Sequence, residues 1–139
     1  MPRMLTLALV LAATLQSTTT AIAPAELWEI WPDERFVTTP APCLGPTELS
    51  AELRRLAELY PDGLELEEIG RSYQNRPIYM ATFGHGPRTV LLWSQMHGDE
   101  PSATPALLDI AHFLLSRADE PGAAAILDDL TLRMIPMLN

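Results

Sequence analysis

Between Thr89 and Met137 the chain passes through an unbroken apolar stretch, a helix-spaced stretch and a second strand-like stretch. This succession limits its fold more than any other feature. The run Thr89-Val90-Leu91-Leu92-Trp93-Ser94 reads as a strand buried on both faces. Ala103, Ala106, Leu107, Ile110, Ala111 and Leu114 recur at helical spacing and predict the buried face of a helix over 102–117. Pro105 fits such a helix only within its first turn, which puts the start near Pro101. A short helix over 123–129 and a strand over 131–137 follow. Two strands joined through a helical crossover pair in parallel, so the class is α/β with a sheet that is at least partly parallel.

Upstream, Leu49, Leu53, Leu56, Ala57 and Tyr60 predict a helix that Thr47 caps and Pro61-Asp62-Gly63 ends. Glu52, Arg54, Arg55 and Glu58 then form its solvated face. Leu64–Glu67 alternates like a strand and Pro77–Phe83 reads as another. The turn between them, Gly70–Arg76, contains Asn75, which tolerates positive φ. Gly84-His85-Gly86-Pro87 makes a further turn. Residues 26–46 are Pro-rich and carry Trp28, Trp31 and Phe36; they read as an extended lead-in that packs aromatics onto the domain.

Residues 1–25 read as a secretory leader: Arg3, an apolar run from Met4 to Leu15, then small residues offering cleavage after Ala23 or, preferably, after Ala25. The run is shorter than the roughly 20 residues a membrane-spanning helix needs. The expected location is therefore secreted or periplasmic, without a stable membrane anchor. Charge narrows the partners. The chain holds 18 acidic residues against nine basic ones, all Arg, for a formal charge of −9; losing Arg3 with the leader makes it −10. Nucleic acid, which requires a basic surface, is excluded as a partner. With 47% apolar residues the chain is no disordered segment, and one cysteine, Cys43, allows neither an internal disulfide nor a Cys-cluster metal site. In an oxidising compartment Cys43 is expected to be a free thiol or to pair outside this chain.

Chemistry concentrates in Gln95-Met96-His97-Gly98-Asp99-Glu100-Pro101, between the apolar strand and the long helix. Sites in open α/β sheets gather beyond the carboxyl ends of strands. An imidazole nitrogen and a carboxylate oxygen are both zinc ligands, and on a turn entering a helix His97 and Glu100 can converge, with Gly98 expected to allow the sharp bend. The spacing is equally compatible with a loop histidine bonded to a carbonyl and a carboxylate placed at a helix start. No G-x-S-x-G or phosphate-binding glycine motif occurs, which leaves Ser72 and Ser94 without a nucleophile's setting. Asp128 and Asp129 read as solvated, His112 as a packed helix residue, and His85 as a turn residue with no acid nearby in sequence.

Three stretches, in order, resemble the zinc carboxypeptidases of the carboxypeptidase A type. Ile69-Gly70-Arg71-Ser72 through Arg76-Pro77-Ile78 resembles the family's I-G-x-S-x-x-G-R-P-I turn, with Asn75 in place of the usual Gly. His97-Gly98-Asp99-Glu100 matches its H-x-x-E zinc motif. Pro136–Asn139 resembles the start of P-x-x-N-P-D-G. The resemblance implies a three-layer α/β fold with a mixed, partly parallel sheet flanked by helices, of which 47–139 would be the N-terminal part. It implies a Zn²⁺ cofactor held by His97 and Glu100, and peptide C-termini as substrates. The third ligand and the general-base glutamate are expected beyond Asn139, so the 139 residues are expected to be an inactive piece. Two other readings compete: a deacylase resembling the succinylglutamate desuccinylase and aspartoacylase group, whose motif is similar, and a non-catalytic secreted module that keeps only the scaffold.

Overall fold

The computed structural model describes residues 23–139; the expected leader lies almost wholly outside them, in residues 1–22. Helix α1 spans Pro24–Glu34, followed by a 3₁₀ turn, Ala41–Cys43, and helix α2, Pro46–Leu59. Strands β1 (Leu64–Arg71), β2 (Pro77–Phe83) and β3 (Arg88–Trp93) come next, then helices α3 (Ala103–Ser116) and α4 (Pro121–Asp129) and strand β4 (Leu130–Ile135). The four strands form one sheet in the order β1-β2-β4-β3. β1 with β2 and β2 with β4 are antiparallel, and β3 with β4 is parallel, as the crossover through α3 and α4 demands. The sheet is mixed and flanked by helices, the expected class.

Pairing register places Leu64, Leu66, Ala81, Phe83, Leu132, Met134, Val90 and Leu92 on one face. Leu53 and Leu56 from α2, Leu108 and Ala111 from α3, and Leu127 from α4 are buried in the same core as Phe83 and Met134. The opposite face carries Thr82, Leu91, Trp93 and Arg133, none of them buried.

Several local expectations are corrected by long-range packing. Helix α1 covers 24–34, where the end of the leader (to Ala25) and the first part of an extended lead-in (from Glu26) were expected: Pro24 opens it with a pre-set φ, and Glu26 lies in its first turn. Trp31 lies 6.2 Å from Phe113 and Phe36 is buried, but Trp28 is 77% exposed, so only part of the aromatic set docks. α2 is capped by Gly45 with Pro46 as its first residue, so the helix starts two residues earlier than a Thr47 cap allows. β1 runs on to Arg71 across an irregularity between Glu68 and Gly70. β3 is an edge strand with Leu91 and Trp93 about half exposed, so it is not buried on both faces. In α3 the buried face is Thr104, Pro105, Leu108, Asp109, Ala111, Leu114 and Leu115, while Ala103, Ala106 and Ile110 are exposed. That helix is apolar nearly all round, so spacing alone does not choose its inward side.

Candidate functional site

β1 and β4 both run antiparallel to β2, and β3 runs parallel to β4, so the carboxyl ends of β1, β3 and β4 share one end of the sheet. The β1–β2 turn, the 94–102 loop and residues 136–139 therefore meet there, bringing together the three stretches that sequence had singled out separately. Between them lies a cleft of about 690 Å³ whose walls include Ser72, Arg76, Gln95, Asp99, Leu138 and Asn139. Glu100 faces a smaller depression of about 390 Å³ beside Trp93 and Met96.

The loop's backbone is set by two devices. Glu100 N–H donates to His97 O at 3.2 Å, a tight turn that brings residues three apart onto one side. The left-handed residue is Gln95, at φ +49°; Gly98 has no positive φ, and a Cβ there would meet nothing within 4 Å. The sharp bend thus falls two residues before His97, on a residue with a side chain, at a cost of about 1–2 kcal/mol that surrounding bonds must offset. Asn75 in the neighbouring turn has φ +60°, as its chemistry predicted.

The turn brings His97 Nδ1 to 3.2 Å from Glu100 Oε1, with both side chains mostly exposed. Two ligands of a tetrahedral zinc, each about 2.0–2.2 Å from the metal, lie about 3.3–3.5 Å from one another. At 3.2 Å the pair lies just inside that spacing, a distance that also suits a direct contact between the two side chains, and its donor atoms are of the types zinc accepts. Among the described residues no group of three His, Cys, Asp or Glu side chains comes together in this way. Asp99, between the two, points its residue to the larger cleft instead.

Other titratable groups lie elsewhere. His85 finds a partner that the sequence did not show: its Nε2 is 2.9 Å from Asp128 Oδ1, both exposed, and Asp129 pairs with Arg88. Asp128 and Asp129 are thus solvated but paired. His112 packs against Phe36 and shares a 2.8 Å hydrogen bond with Tyr60 Oη, and burial pushes its pKa below 6.5. Burial also pushes the Tyr60 hydroxyl above its usual 10.0. These groups support the N-terminal segment and lie outside the cleft's walls.

Ser94, Gln95 and Thr104 have a structural role that sequence reasoning did not assign to them. Ser94 and Thr104 are buried, and each contacts Pro136 O; Thr104 Oγ1 also donates to Gln95 Oε1 at 2.9 Å. Their signal was small: a hydroxyl at the end of an apolar strand and another inside an apolar helix.

The fold is thus a mixed α/β sheet with a histidine and a glutamate paired at the carboxyl end of its strands. Residues 49–139 match the family model described as zinc carboxypeptidase, and the chain belongs to that family. Carboxypeptidase E of Caenorhabditis elegans is 29% identical over 101 residues, which are 66% of this chain and 21% of that protein. Bovine thrombin-activatable fibrinolysis inhibitor, solved with tick carboxypeptidase inhibitor, superposes with a TM-score of 0.61 at 19% identity, over 68% of this chain and 30% of the other. Carboxypeptidase A from Helicoverpa armigera gives a TM-score of 0.60 at 20% identity, over 83% and 32% respectively. These structural likenesses show the fold. The chain spans about a fifth of the curated relative and about a third of the solved ones.

Proposed function

We propose that this chain is part of an exported zinc metallocarboxypeptidase that hydrolyses the C-terminal residues of peptides. The observation that carries the reading is the 3.2 Å approach of His97 Nδ1 and Glu100 Oε1 at the strand ends, inside the family's ordered motifs. On this reading residues 1–25 direct export and residues 47–139 form part of the catalytic domain. His97 and Glu100 hold the ion. Bound zinc supplies Lewis acidity toward a peptide carbonyl. The large cleft beside the pair receives the peptide, with Asp99 and Arg76 exposed to it.

A catalytic zinc site takes three protein ligands and keeps one position open. The 139 residues alone are therefore expected to hold zinc weakly and to release no C-terminal amino acids. Zinc titration of the purified chain, followed by the imidazole NMR signals, tests the metal assignment. The signals of His97 are expected to move, and His97→Ala and Glu100→Gln each to weaken binding by at least about tenfold, the range seen when metal sites are damaged. Zinc binding that is unchanged by both substitutions would overturn the assignment, and release of C-terminal residues by the chain alone would overturn the expected inactivity.

A further inference from the structure

The His97–Glu100 turn rests on a polar cluster beneath it. Ser94 closes the β3 side and Thr104 stands on the first turn of α3, fully buried. Their hydroxyl oxygens are 3.1 Å apart, and both reach the carbonyl of Pro136, which leaves the end of β4. Above them Gln95 spans the gap to the loop: its Oε1 accepts from Thr104 Oγ1 at 2.9 Å, and its Nε2 donates to Gly98 O at 3.2 Å. Leu138 N–H donates to Ser94 O, and Asn139 N–H donates to Gln95 O.

The proton count makes this a connected device. Thr104 has one hydroxyl proton, so it serves either Pro136 O or Gln95 Oε1 at a given moment, and Ser94 serves Pro136 while Thr104 serves Gln95. Gln95 cannot be turned over without setting its Oε1 against the Gly98 carbonyl, so its orientation is determined. The amide thus ties the carbonyl between His97 and Asp99 to a buried hydroxyl, and it does so from a residue held at φ +49°. No other side-chain hydrogen bond reaches the backbone of 97–100 among the described residues; Asn139 Nδ2 donates to the neighbouring Met96 O.

We propose that Thr104 and Gln95 are positioning residues for the metal pair: they touch neither the ion nor substrate, and they hold the backbone that makes His97 and Glu100 converge. The inference rests on the zinc reading above. Supporting groups behind metal ligands typically change affinity by 10–100-fold.

The test is Zn²⁺ titration of the full chain and its variants, read from the His97 imidazole signals, with thermal unfolding recorded separately. Thr104→Val keeps shape and removes the hydroxyl; Thr104→Ser keeps the hydroxyl. Gln95→Met removes both amide bonds without touching the buried pair, which covers the case in which Thr104→Val fails to fold. The expected result is apparent zinc affinity at least about tenfold weaker in Thr104→Val and Gln95→Met, and restored to within about threefold in Thr104→Ser. Affinity unchanged in the folded Val and Met variants, or a Ser variant as weak as Val, would overturn the positioning role while leaving the zinc reading intact. Wild-type protein whose His97 signals ignore zinc would overturn both.

Discussion

Asp109 shows how one buried charge can organise a segment remote in sequence. Its Oδ1 accepts from the backbone N–H groups of Phe36 and Val37 at 3.0 and 2.9 Å, and its Oδ2 is 3.8 Å from Arg35 Nε. A carboxylate on a helix read as apolar is costly to bury unless it is paired, and these two amides supply the pairing. Both bonds end on one oxygen, so Asp109→Asn keeps an acceptor there while Asp109→Ala leaves two buried donors unmatched. Urea unfolding is expected to show a loss of about 3 kcal/mol for Asp109→Ala and about 1 kcal/mol for Asp109→Asn. Equal losses for the two would mean that the amides are satisfied by other means. At the same scale, Arg55 departs from the solvated role expected of it: its guanidinium lies 3.5 Å from the Phe36 ring centre and donates to Phe36 O.

Among the elements, the N-terminal segment and α3 form a pH-sensitive joint. Arg117 grips Glu34 with two hydrogen bonds of 2.6 and 2.8 Å, and this contact holds the Glu34 carboxyl below its usual 4.5 despite some opposing desolvation. His112, one turn earlier on α3, packs against Phe36 and Tyr60, with Glu34, Asp109, Arg55 and Arg117 as the charges around it. Desolvation depresses its pKa from 6.5, so the folded protein binds fewer protons there than the unfolded chain. That stability is present above pH 6.5 and is lost as pH falls through the lowered value. Glu34 contributes above pH 4.5 and loses its contribution as pH falls through its own lowered value. Melting temperature is thus expected to decline in two stages on acidification. His112→Gln should remove the upper stage and Glu34→Gln the lower. A wild-type melting curve that is flat between pH 7 and about 5 would contradict the first assignment.

The same elements show what spacing conveys and what it does not. β2 runs from Pro77 to Phe83 as read, and α3 and α4 lie within two residues of expectation, because periodicity and proline placement act locally. The tight turn at Gly84–Pro87 is also as read: Gly84 has φ +74°, and a Cβ on Gly86 would lie 1.9 Å from Asp129 C. The helix at 24–34 lies across the expected leader's end and a stretch that reads as extended because residues 26–46 are Pro-rich, yet its two prolines are compatible with it. One is a helix starter, and the other lies near the end of α1.

Across the whole molecule, the two edges of the sheet differ. β1 carries Glu65, Glu67 and Glu68, which discourage further pairing, whereas β3 has only Arg88 at its start. Leu91 and Trp93 lie about half exposed on the open face of the sheet. Such a surface should bind an apolar dye. Leu91→Glu is expected to reduce that binding while changing unfolding free energy by no more than about 0.5 kcal/mol, the usual range for surface substitutions. Undiminished dye fluorescence would place the apolar surface elsewhere. No helix among the described residues is long and apolar enough to cross a membrane.

Sequence alone determined the order of elements from α2 onward, the parallel crossover, the left-handed Asn75 and the spacing of His97 and Glu100. Each follows from interactions between residues a few positions apart, and such interactions are written in periodicity and turn chemistry. Only the tertiary structure decided which side of α3 is buried, that β3 is an edge, and that Gln95 rather than Gly98 makes the bend. It alone joined Thr104 to a carbonyl 32 residues away and Asp109 to amides more than 70 residues away. An apolar helix has several sides of similar hydrophobicity, and a buried hydroxyl or carboxylate is stabilised by whichever backbone group the completed packing brings to it. Neither choice leaves a mark in local spacing.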